Sequence, residues 1–366
     1  MTTLHYWLAA LYLPDVGPRT VLRWLQSFPD IKTLFHASSD EMQEKGITER
    51  HRKSLQQINS KMVEKDMAWL NASSDHHIIC LDDESYPHLL KEISDPPLVL
   101  FVKGNKDVLS AKQMAMVGAR NATLAGLKNA EQFACSLAEV GYVVTSGLAR
   151  GIDGASHRGA LAGKGKTIGV CGTGLNDIYP PSHRSLAKQM IEQGGAVVSE
   201  FPLGVMPKAD NFPRRNRVIA GMSVGVLVVE AALKSGSLIT ARHALEQGRE
   251  VFAIPGFIHH PLAKGCHHLI RQGAKLVETI EDILEELDGF RLIKNDVKAK
   301  EPAEACSALS PDLRCLLQQI GYEITSMDAI LLASGLTAGE VSSMLLTLEL
   351  NGCIQSVPGG YIRETS

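Results

Sequence analysis

The sequence has 366 residues, enough for two or three domains of about 100–200 residues each. Hydrophobic residues make up 45% of it and aromatic residues 5%, which excludes a chain that is disordered throughout. With 37 basic and 40 acidic residues the net charge is -3, so a uniformly basic nucleic-acid binder is excluded, but a local basic site is not.

The cysteines and the N-terminus indicate a compartment. Seven cysteines with no CxxC pair argue against a disulfide framework or zinc ribbon and favour a reducing environment. The first residues lack a basic region and a small-residue cleavage site, and no apolar run reaches the roughly 18 residues of a membrane span. We therefore expect a cytoplasmic protein without a membrane span.

Residues 1–75 have the spacing of short helices. Leu4, Trp7, Leu8 and Leu11 share one helix face, and the pattern resumes after a proline- and glycine-containing break at residues 13–19. This predicts a small helical domain that is SAM-like or helix-hairpin-helix-like. Because the acidic Asp15 takes the place of the usual hairpin glycine and would repel phosphates, we expect a structural or interaction role.

Residues 76–290 have the texture of an α/β domain. Of the 32 glycines, 22 lie between Gly118 and Gly273, where short apolar runs alternate with helical stretches. Such runs are typical of parallel strands that are buried on both faces. They predict an extended Rossmann-like, doubly wound parallel sheet. The predicted strands are Leu98–Val102, Met114–Val117, Tyr142–Thr145, Thr167–Val170, Ala196–Ser199, Val224–Val229 and Val251–Ile254.

The C-terminal region predicts a linker and a winged helix. Residues 291–309 begin with a highly charged, aperiodic stretch, and residues 310–366 have the pattern of three helices followed by a hairpin. No Lys or Arg stands between Arg314 and Arg363. Because groove binding depends on neutralising phosphates, we expect this module to contact protein or to be structural rather than to bind DNA in the usual way.

Glycine-containing turns follow the predicted strands at one edge of the sheet. Ligands of open parallel sheets bind beyond the carboxyl ends of the strands, and open amides at helix starts attract anions. Several such turns, mixed with Ser and Arg, predict a ligand that carries phosphates. The turns are residues 117–120, 145–153, 171–174, 199–202 and 230–237.

A basic cluster follows the fourth of these turns. Arg214, Arg215 and Arg217, with Lys208 nearby, form the strongest local positive charge in the chain. Arginine suits phosphate oxygens, and the adjacent Phe212 offers a ring on which a base can stack. The simpler alternative is a surface helix with solvated arginines and a buried Phe.

Enzymatic signatures are missing from the sequence. The segment Gly163–Thr167 lacks the spacing of a phosphate-binding loop, and the histidines between 259 and 268 have no second ligand group. Asp153, Glu200 and Glu230 have no partner base and are expected to cap helices or to orient arginines. We expect no catalytic residue, no metal and no cofactor.

The same residues resemble the DNA-processing protein A family (DprA, also called Smf). The matching motifs are VGAR (117–120), TSGLARGIDGASHRGAL (145–161), GTGLNDIYP (172–180), SEFPLG (199–204), NFPRRNRVIAG (211–221), VVEAALKSGSLITARHALEQGREVFAIPG (228–256) and LIRQGAKLV (269–277). The resemblance implies a homodimeric, non-enzymatic protein that binds single-stranded DNA, works beside single-strand-binding protein and loads RecA recombinase during natural transformation and recombination.

The resemblance also implies a set of DNA-binding residues. Some members carry a lysine three residues before the phenylalanine; Ala209 stands there in this chain, beside Lys208. With Lys208 added to the implied positions, the predicted DNA-binding residues are Arg120, Ser146, Gly147, Gly172, Lys208, Phe212, Arg214, Arg215, Asn216, Arg217, Ser235, Gly236 and Ser237.

An enzyme remains the alternative. The predicted sheet also resembles the nucleotide phosphoribohydrolases of the lysine-decarboxylase-like group, whose PGGxGTxxE turn carries a catalytic glutamate. The corresponding turn here, Ser235–Ala241, has no carboxylate, which argues against hydrolysis.

Overall fold

A computed structural model describes residues 2–288, 309–322 and 324–363 of the chain. The chain divides into two compact units, residues 1–290 and 291–366. The predicted linker, residues 291–309, lies outside the described residues except for its last position.

A sheet of nine strands forms the centre of the first unit. Within the described residues the strands, numbered along the chain, lie in the order β1-β2-β6-β5-β4-β3-β7-β8-β9. All pairings from β6 to β9 are parallel, whereas the β1–β2 and β2–β6 pairings are antiparallel. The strands are β1 (His76–Cys80), β2 (Val99–Gly104), β3 (Gln113–Val117), β4 (Val143–Ser146), β5 (Thr167–Val170), β6 (Ala196–Ser199), β7 (Gly225–Val228), β8 (Glu250–Ala253) and β9 (Lys275–Leu276).

The predicted doubly wound sheet is confirmed. Every residue of β3 to β7 is buried, as expected for strands covered on both faces. Two edge strands were not predicted. β1 begins with two half-buried histidines, and β9 has only two residues, both exposed, so neither carries the continuous apolar signal.

The order in which the chain adds strands to the sheet reverses at β3, although β3 and β7 are parallel. The chain runs outward from β3 through β4 and β5 to β6, and then returns to place β7 on the other side of β3. Val117 and Val228, the last residues of these two strands, are paired in register. Ligands of open α/β sheets bind beyond the carboxyl ends of the strands at such a switch point.

Helices cover both faces of the sheet. On one face, α8, α9 and α14 share a core with β4, and on the other, α10, α11 and α12 pack in the larger core. The helices of the first unit are α1 (Thr3–Leu11), α2 (Pro18–Leu25), α3 (Ile31–His36), α4 (Ser39–Glu44), α5 (Glu49–Gln56), α6 (Ser60–Asn71), α7 (His88–Lys91), α8 (Leu124–Glu139), α9 (Ile152–Ala162), α10 (Arg184–Glu192), α11 (Asn211–Met222), α12 (Gly236–Glu246), α13 (Lys264–Arg271) and α14 (Ile280–Asp288).

The helical N-terminal segment continues into the sheet without a break in the core. Leu8 and Trp24 belong to the same buried cluster as Phe101 of β2. Asp15 adopts a positive φ of 58°, the conformation for which glycine is usual, and forms an ion pair with Arg50. A separate domain boundary at residue 75 therefore stays a prediction.

A buried carboxyl group joins two N-terminal helices. Asp66 of α6 is 1% exposed, and its Oδ2 accepts a hydrogen bond of 2.6 Å from the Tyr12 hydroxyl after α1. Burial raises the pKa of Asp66 to about 6, although the Tyr12 hydroxyl favours the charged form. The carboxylate is therefore a source of pH-dependent stability.

The second unit has the order of elements of a winged helix. It contains α15 (Pro311–Gln318), α16 (Met327–Ser334), α17 (Ala338–Leu350), β10 (Ile354–Val357) and β11 (Gly360–Arg363). A core that includes Leu316, Ile330 and Leu345 joins the three helices. The predicted order of three helices followed by a hairpin is confirmed.

Candidate nucleic-acid interface

A crevice of about 570 Å³ opens at the switch point of the sheet. Its walls come from the end of β3, the start of α9, the first turns of α11 and the start of α12, and it contains eight of the thirteen predicted residues. The predicted residues that line it are Arg120, Lys208, Phe212, Arg215, Asn216, Ser235, Gly236 and Ser237. Three of the five predicted carboxyl-edge turns, residues 117–120, 145–153 and 230–237, thus contribute residues to one cavity, whereas residues 171–174 and 199–202 do not line it.

Phe212 stands between two groups that suit a nucleotide. The Arg120 guanidinium lies over its ring at 5.4 Å from the centroid, and the Tyr179 ring lies 5.9 Å away at a tilt of 40°. Arg120 is exposed, and Tyr179 is 44% exposed. An aromatic ring beside an accessible guanidinium can hold a base and neutralise its phosphate at the same time.

Gly172 lies under the Phe212 ring rather than at the surface. A Cβ atom at this glycine would stand 2.9 Å from Cδ1 of Phe212, closer than carbon atoms approach one another. The glycine is buried, and its predicted contact with phosphate stays a prediction. Its function in the structure is to leave room for the ring.

Arg215 supports the crevice from below. It is 4% exposed, and its Nη1 donates hydrogen bonds to the carbonyl oxygens of Gly147 and Val170, which end or follow β4 and β5. Its Nε donates to Oδ1 of Asn216 at 3.2 Å. Burial lowers the pKa of Arg215, while nearby Asp153 opposes the shift. The predicted contact of Arg215 with phosphate is therefore corrected to a supporting role.

The Gly147 amide is also occupied. It donates a hydrogen bond of 3.1 Å to Oδ2 of Asp153, which accepts a second one of 3.3 Å from the Ala149 amide. Burial raises the pKa of Asp153, whereas the Arg215 charge and these amides favour its ionised form. Gly147 is thus no open anion site, and the adjacent Ser146 is fully buried with its hydroxyl donating to the Met116 carbonyl. Both predictions are corrected.

Glu200 forms ion pairs with both remaining arginines, of which Arg217 is buried and Arg214 is exposed. Its carboxylate accepts from Arg217, which is 5% exposed, and from Nη2 of Arg214 at 3.2 Å. Arg217 also forms an ion pair with Asp95 at 3.5 Å, so it is committed to internal contacts and its predicted phosphate contact is corrected. Burial raises the pKa of Glu200, and both arginines oppose this. Arg214 keeps an exposed side chain, above the Phe201 ring at 5.2 Å.

The start of α12 forms the wall opposite Phe212. Ser235 caps the helix by accepting a hydrogen bond of 3.2 Å from the Ser237 amide, and its hydroxyl also bonds to that of Ser237. Asn216 donates to the Gly236 carbonyl at 3.2 Å, which ties this wall to α11. Gly236 is exposed at the first position of the helix, where open amides favour an anion.

Lys208 lines the crevice and is exposed. Its neighbour Ala209, which takes the place of the family lysine, also lines it. The lysine side chain thus supplies positive charge to the crevice. The structure brings Lys208 and Arg120 to one cavity, although 88 positions separate them in the chain.

The carboxylates beside the crevice have structural partners. Glu230 accepts hydrogen bonds from the amide and the hydroxyl of Thr123, at 2.9 and 2.6 Å, where α8 begins. Asp153 accepts hydrogen bonds from backbone amides, and Glu200 accepts from two arginines, in agreement with the structural roles expected from the sequence. Among the described residues, no group of three or more His, Cys, Asp or Glu side chains could hold a metal ion.

Sequence reasoning missed several lining residues. Tyr179, Pro207 and Thr240 have no charge or glycine signal of their own. Tyr179 lies in the motif at 172–180, so the sequence already places it beside a predicted phosphate-binding turn. Its contact with Phe212 is visible only in the folded structure.

No single helix in the described ranges combines the length and hydropathy needed to cross a membrane. By length and composition alone, the pair α16 and α17 would qualify together, but the two are bent by 110°.

Comparison with known proteins agrees with the geometry. The family described as DNA recombination-mediator protein A matches residues 77–288, and the DprA winged helix domain matches residues 300–360. Protein Smf of Escherichia coli is 46% identical over 336 residues, covering 90% of this chain and 88% of its own. DNA processing protein DprA of Streptococcus pneumoniae is 48% identical over 206 residues, covering 56% of this chain and 72% of its own.

Solved structures extend this similarity to the fold. DprA from Streptococcus pneumoniae superimposes with a TM-score of 0.67 at 37% identity, covering 78% of this chain and 98% of its own. DprA from Helicobacter pylori, solved in a study of its single-stranded DNA binding mode, gives a TM-score of 0.52 at 29% identity, covering 58% of this chain and 95% of its own. The chain therefore belongs to the DNA recombination-mediator protein A family.

Proposed function

We propose that the crevice binds single-stranded DNA without sequence preference. The observation that carries this proposal is the stack of Arg120 over Phe212 beside the exposed Gly236. It offers one ring for a base, one exposed cation and one helix start for phosphates. Because these groups contact features that all nucleotides share, the affinity is expected to depend little on sequence.

The shape of the site favours an unpaired strand over a duplex. Phe212 is half-buried at the inner wall of the crevice, so a base must be free of its partner and its stack to reach the ring. A duplex presents only base edges and backbone to such a wall. The study of single-stranded DNA binding by the Helicobacter pylori relative supports the same ligand class.

The roles of the individual residues follow from their exposure. Arg120 and Lys208 in the crevice, with the exposed Arg214 outside its lining, neutralise phosphates. Phe212 stacks a base, and Ser235, Gly236 and Ser237 present the helix start. Asn216 and Arg215 hold these walls in place.

We further propose that two copies act together and load RecA recombinase onto the bound strand, in the cytoplasm and beside single-strand-binding protein. A second cavity, of about 610 Å³, shares Ser235 with the crevice and follows α12 toward α13. Leu233, Ile239 and Leu245 expose apolar surface along it, and β9 leaves a short exposed edge nearby. These features suit association of two copies, and two linked crevices on one strand raise avidity by about 10²–10⁴.

Sedimentation and a loading assay test this part of the proposal. We expect a dimer, and Leu245→Arg should shift it to a monomer and weaken binding of long oligonucleotides. RecA filament growth on strands covered by single-strand-binding protein should accelerate with the unaltered chain and not with this variant. A monomeric unaltered chain, or equal acceleration by both, would contradict the dimer as the active form.

The three segments of the chain are proposed as separate domains with different roles. The family matches begin at 77 and end at 288 for the sheet and run from 300 to 360 for the winged helix. We assign 1–75 to a helical domain, 76–290 to DNA binding, 291–309 to a linker and 310–366 to a winged helix.

A nucleotide hydrolase is the second candidate function, because the crevice is also large enough for a mononucleotide. Asp153, the carboxylate that lines the crevice, accepts hydrogen bonds from the Gly147 and Ala149 amides, and Glu230 accepts from Thr123, which argues against a general base. Release of free base from nucleoside monophosphates would support the hydrolase, and no release is expected.

The main experiment compares a dT oligonucleotide with a duplex of equal length over a series of salt concentrations. We expect tighter binding of the single strand and a logarithmic affinity that falls with the logarithm of salt, by about 0.7 per phosphate neutralised. Equal affinity for both forms would contradict the proposal.

A further inference from the structure

Two aromatic side chains in the first unit are exposed to solvent. Among the described residues 2–288, Tyr179 and Phe257 are the Phe, Tyr or Trp residues that are more than one-third exposed, at 44% and 59%. Tyr179 follows β5 and borders the crevice through its contact with Phe212. Phe257 follows β8 and does not line the crevice.

The loop of residues 255–263, here called the β8 loop, lies at the same edge of the sheet as the crevice. Val117 of β3 is paired with Val228 of β7, and Val228 with Ala253 of β8. All three strands are parallel, so their carboxyl ends are level. At a spacing of about 4.8 Å between strands, β8 lies roughly 10 Å from β3.

Backbone hydrogen bonds attach the β8 loop to a wall of the crevice. The Ala231 amide donates to the Leu262 carbonyl at 2.7 Å, and the Gly265 amide donates to the Ala231 carbonyl at 2.7 Å. Ala231 stands four positions before Ser235, which lines the crevice. The C-terminal end of the β8 loop is therefore attached to the segment that leads into Ser235.

The apolar tip of the β8 loop is open. Ile258 is 61% exposed, and the rings of Phe257 and His259 form an edge-to-face pair with centroids 5.4 Å apart. Phe257 itself remains 59% exposed in this arrangement. Exposing two large adjacent apolar side chains is unfavourable unless a partner covers them.

The charge around the loop suits a polyanion. No Asp or Glu stands between residues 251 and 277 or between 231 and 245, although the chain has 40 acidic residues. Lys234 and Lys264 are exposed in these segments. A phosphate backbone that leaves the crevice on this side therefore meets cations and no carboxylate from these segments.

We propose that the β8 loop is a second base-stacking subsite for the same DNA strand, with Phe257 stacking a base that has left the crevice and Lys234 and Lys264 contacting its phosphates. This inference rests on the proposed single-stranded DNA binding and extends it past the family motifs. The strand runs from Phe212 past the start of α12 to the β8 loop. The subsite engages only oligonucleotides long enough to fill the crevice first.

A length series tests the subsite. We would measure the affinity of Phe257→Ala, Phe257→Trp and the unaltered chain for oligothymidylates of about 4 to 16 nucleotides. Phe257→Ala should weaken the longer strands by about tenfold and leave the shortest unchanged, since stacking contributes about 1–3 kcal/mol per base. Phe257→Trp should retain binding, and the added indole fluorescence should be quenched by long strands only.

Control variants separate the possible failures. Val140→Ala removes an exposed apolar side chain at the end of α8, outside the crevice, and should bind all lengths normally. If Phe212→Ala weakens binding but Phe257→Ala does not at any length, the subsite is overturned and the proposed function stands. If the unaltered chain binds no oligothymidylate, the proposed function itself fails. An equal loss at all lengths, or a change of oligomeric state in Phe257→Ala, would assign Phe257 to a protein contact instead.

Discussion

The crevice and the winged helix belong to classes of structure that bind nucleic acids in other proteins, yet they differ in charge. Exposed Arg120 and Lys208 line the crevice, and the exposed Arg214 follows the lining residues Phe212 and Pro213 on α11. The winged helix has no Lys or Arg between Arg314 and Arg363. The comparison teaches that a fold supplies a location, and that side-chain charge decides whether the location can hold a phosphate.

The winged helix presents apolar surface where a DNA-binding helix presents cations. Within α17, Glu340 and Glu349 are the charged residues, and Glu340 accepts hydrogen bonds from the amide and hydroxyl of Thr337 at the start of the helix. Leu332 and Leu350 are 89% and 81% exposed. This surface is unsuited to a groove, which supports the prediction of a protein-contact or structural role.

The largest expected effect is a loss of folding stability on replacing Arg215, which supports the crevice rather than contacting a ligand in it. Arg215→Leu leaves the carbonyls of Gly147 and Val170 without their donor and Asp153 without a neutralising charge. We expect the free energy of unfolding to fall by about 3–5 kcal/mol. Urea unfolding would measure it, with Arg158→Ala, whose ion pair with Glu131 is exposed, as a control that changes stability by less than about 1 kcal/mol. Equal stability of both variants would contradict the supporting role.

Phe212→Ala should give the largest loss of binding without a comparable loss of stability. The ring is half-buried at the crevice wall, and its removal eliminates stacking worth about 1–3 kcal/mol. Affinity for a dT oligonucleotide should therefore fall by about 5- to 150-fold in fluorescence anisotropy. Phe212→Trp should keep most of the affinity, and a loss as large as that of Phe212→Ala would show that ring packing on Gly172 matters more than stacking.

Arg120→Ala should weaken binding by about tenfold, equally for all sequences. The guanidinium is exposed over Phe212, so its removal deletes one phosphate contact with little effect on folding. The slope of logarithmic affinity against logarithmic salt should flatten by about one unit. Arg158→Ala, an exposed arginine outside the crevice, is the matched control. An unchanged slope in Arg120→Ala would remove this arginine from the interface.

Asp66→Asn should change stability and leave DNA binding unchanged. Because the pKa of Asp66 is raised to about 6 in the folded chain, its protonated form favours folding, and this contribution is lost as pH rises from about 4 to 6. The unaltered chain should therefore lose on the order of 1 kcal/mol over this window relative to Asp66→Asn. Thermal unfolding of both proteins from pH 4 to 7.5 measures the difference. Parallel curves would contradict a raised pKa.

Removal of residues 309–366 should have the smallest effect. The winged helix offers no cation between Arg314 and Arg363, so affinity for single-stranded DNA should stay within about twofold of the full chain. Anisotropy at the same salt concentration would measure it. A tenfold loss of affinity would contradict the inferred difference in DNA binding between the crevice and the winged helix.

The arginine segment shows where sequence reasoning stopped. The sequence predicted a basic cluster and a nearby aromatic ring, but consecutive helical residues point about 100° apart, so neighbours face different surroundings. On α11, Arg214 reaches the surface, Arg215 turns under the crevice and Arg217 turns to Glu200. The glycine turns behaved similarly, because Gly172 leaves room for Phe212 and Gly236 remains open.

The sequence by itself determined the doubly wound sheet apart from its edge strands β1 and β9, the edge of the sheet at which the crevice lies, and the missing cations of the winged helix. These features follow from hydrophobic periodicity, turn residues and charge, which are local properties of the chain. Only the tertiary structure decided which arginines are free, which amides are occupied, and that Tyr179 and Phe257 stand exposed at the carboxyl edge. Burial and hydrogen-bond partners depend on residues distant in sequence, and local patterns do not contain them.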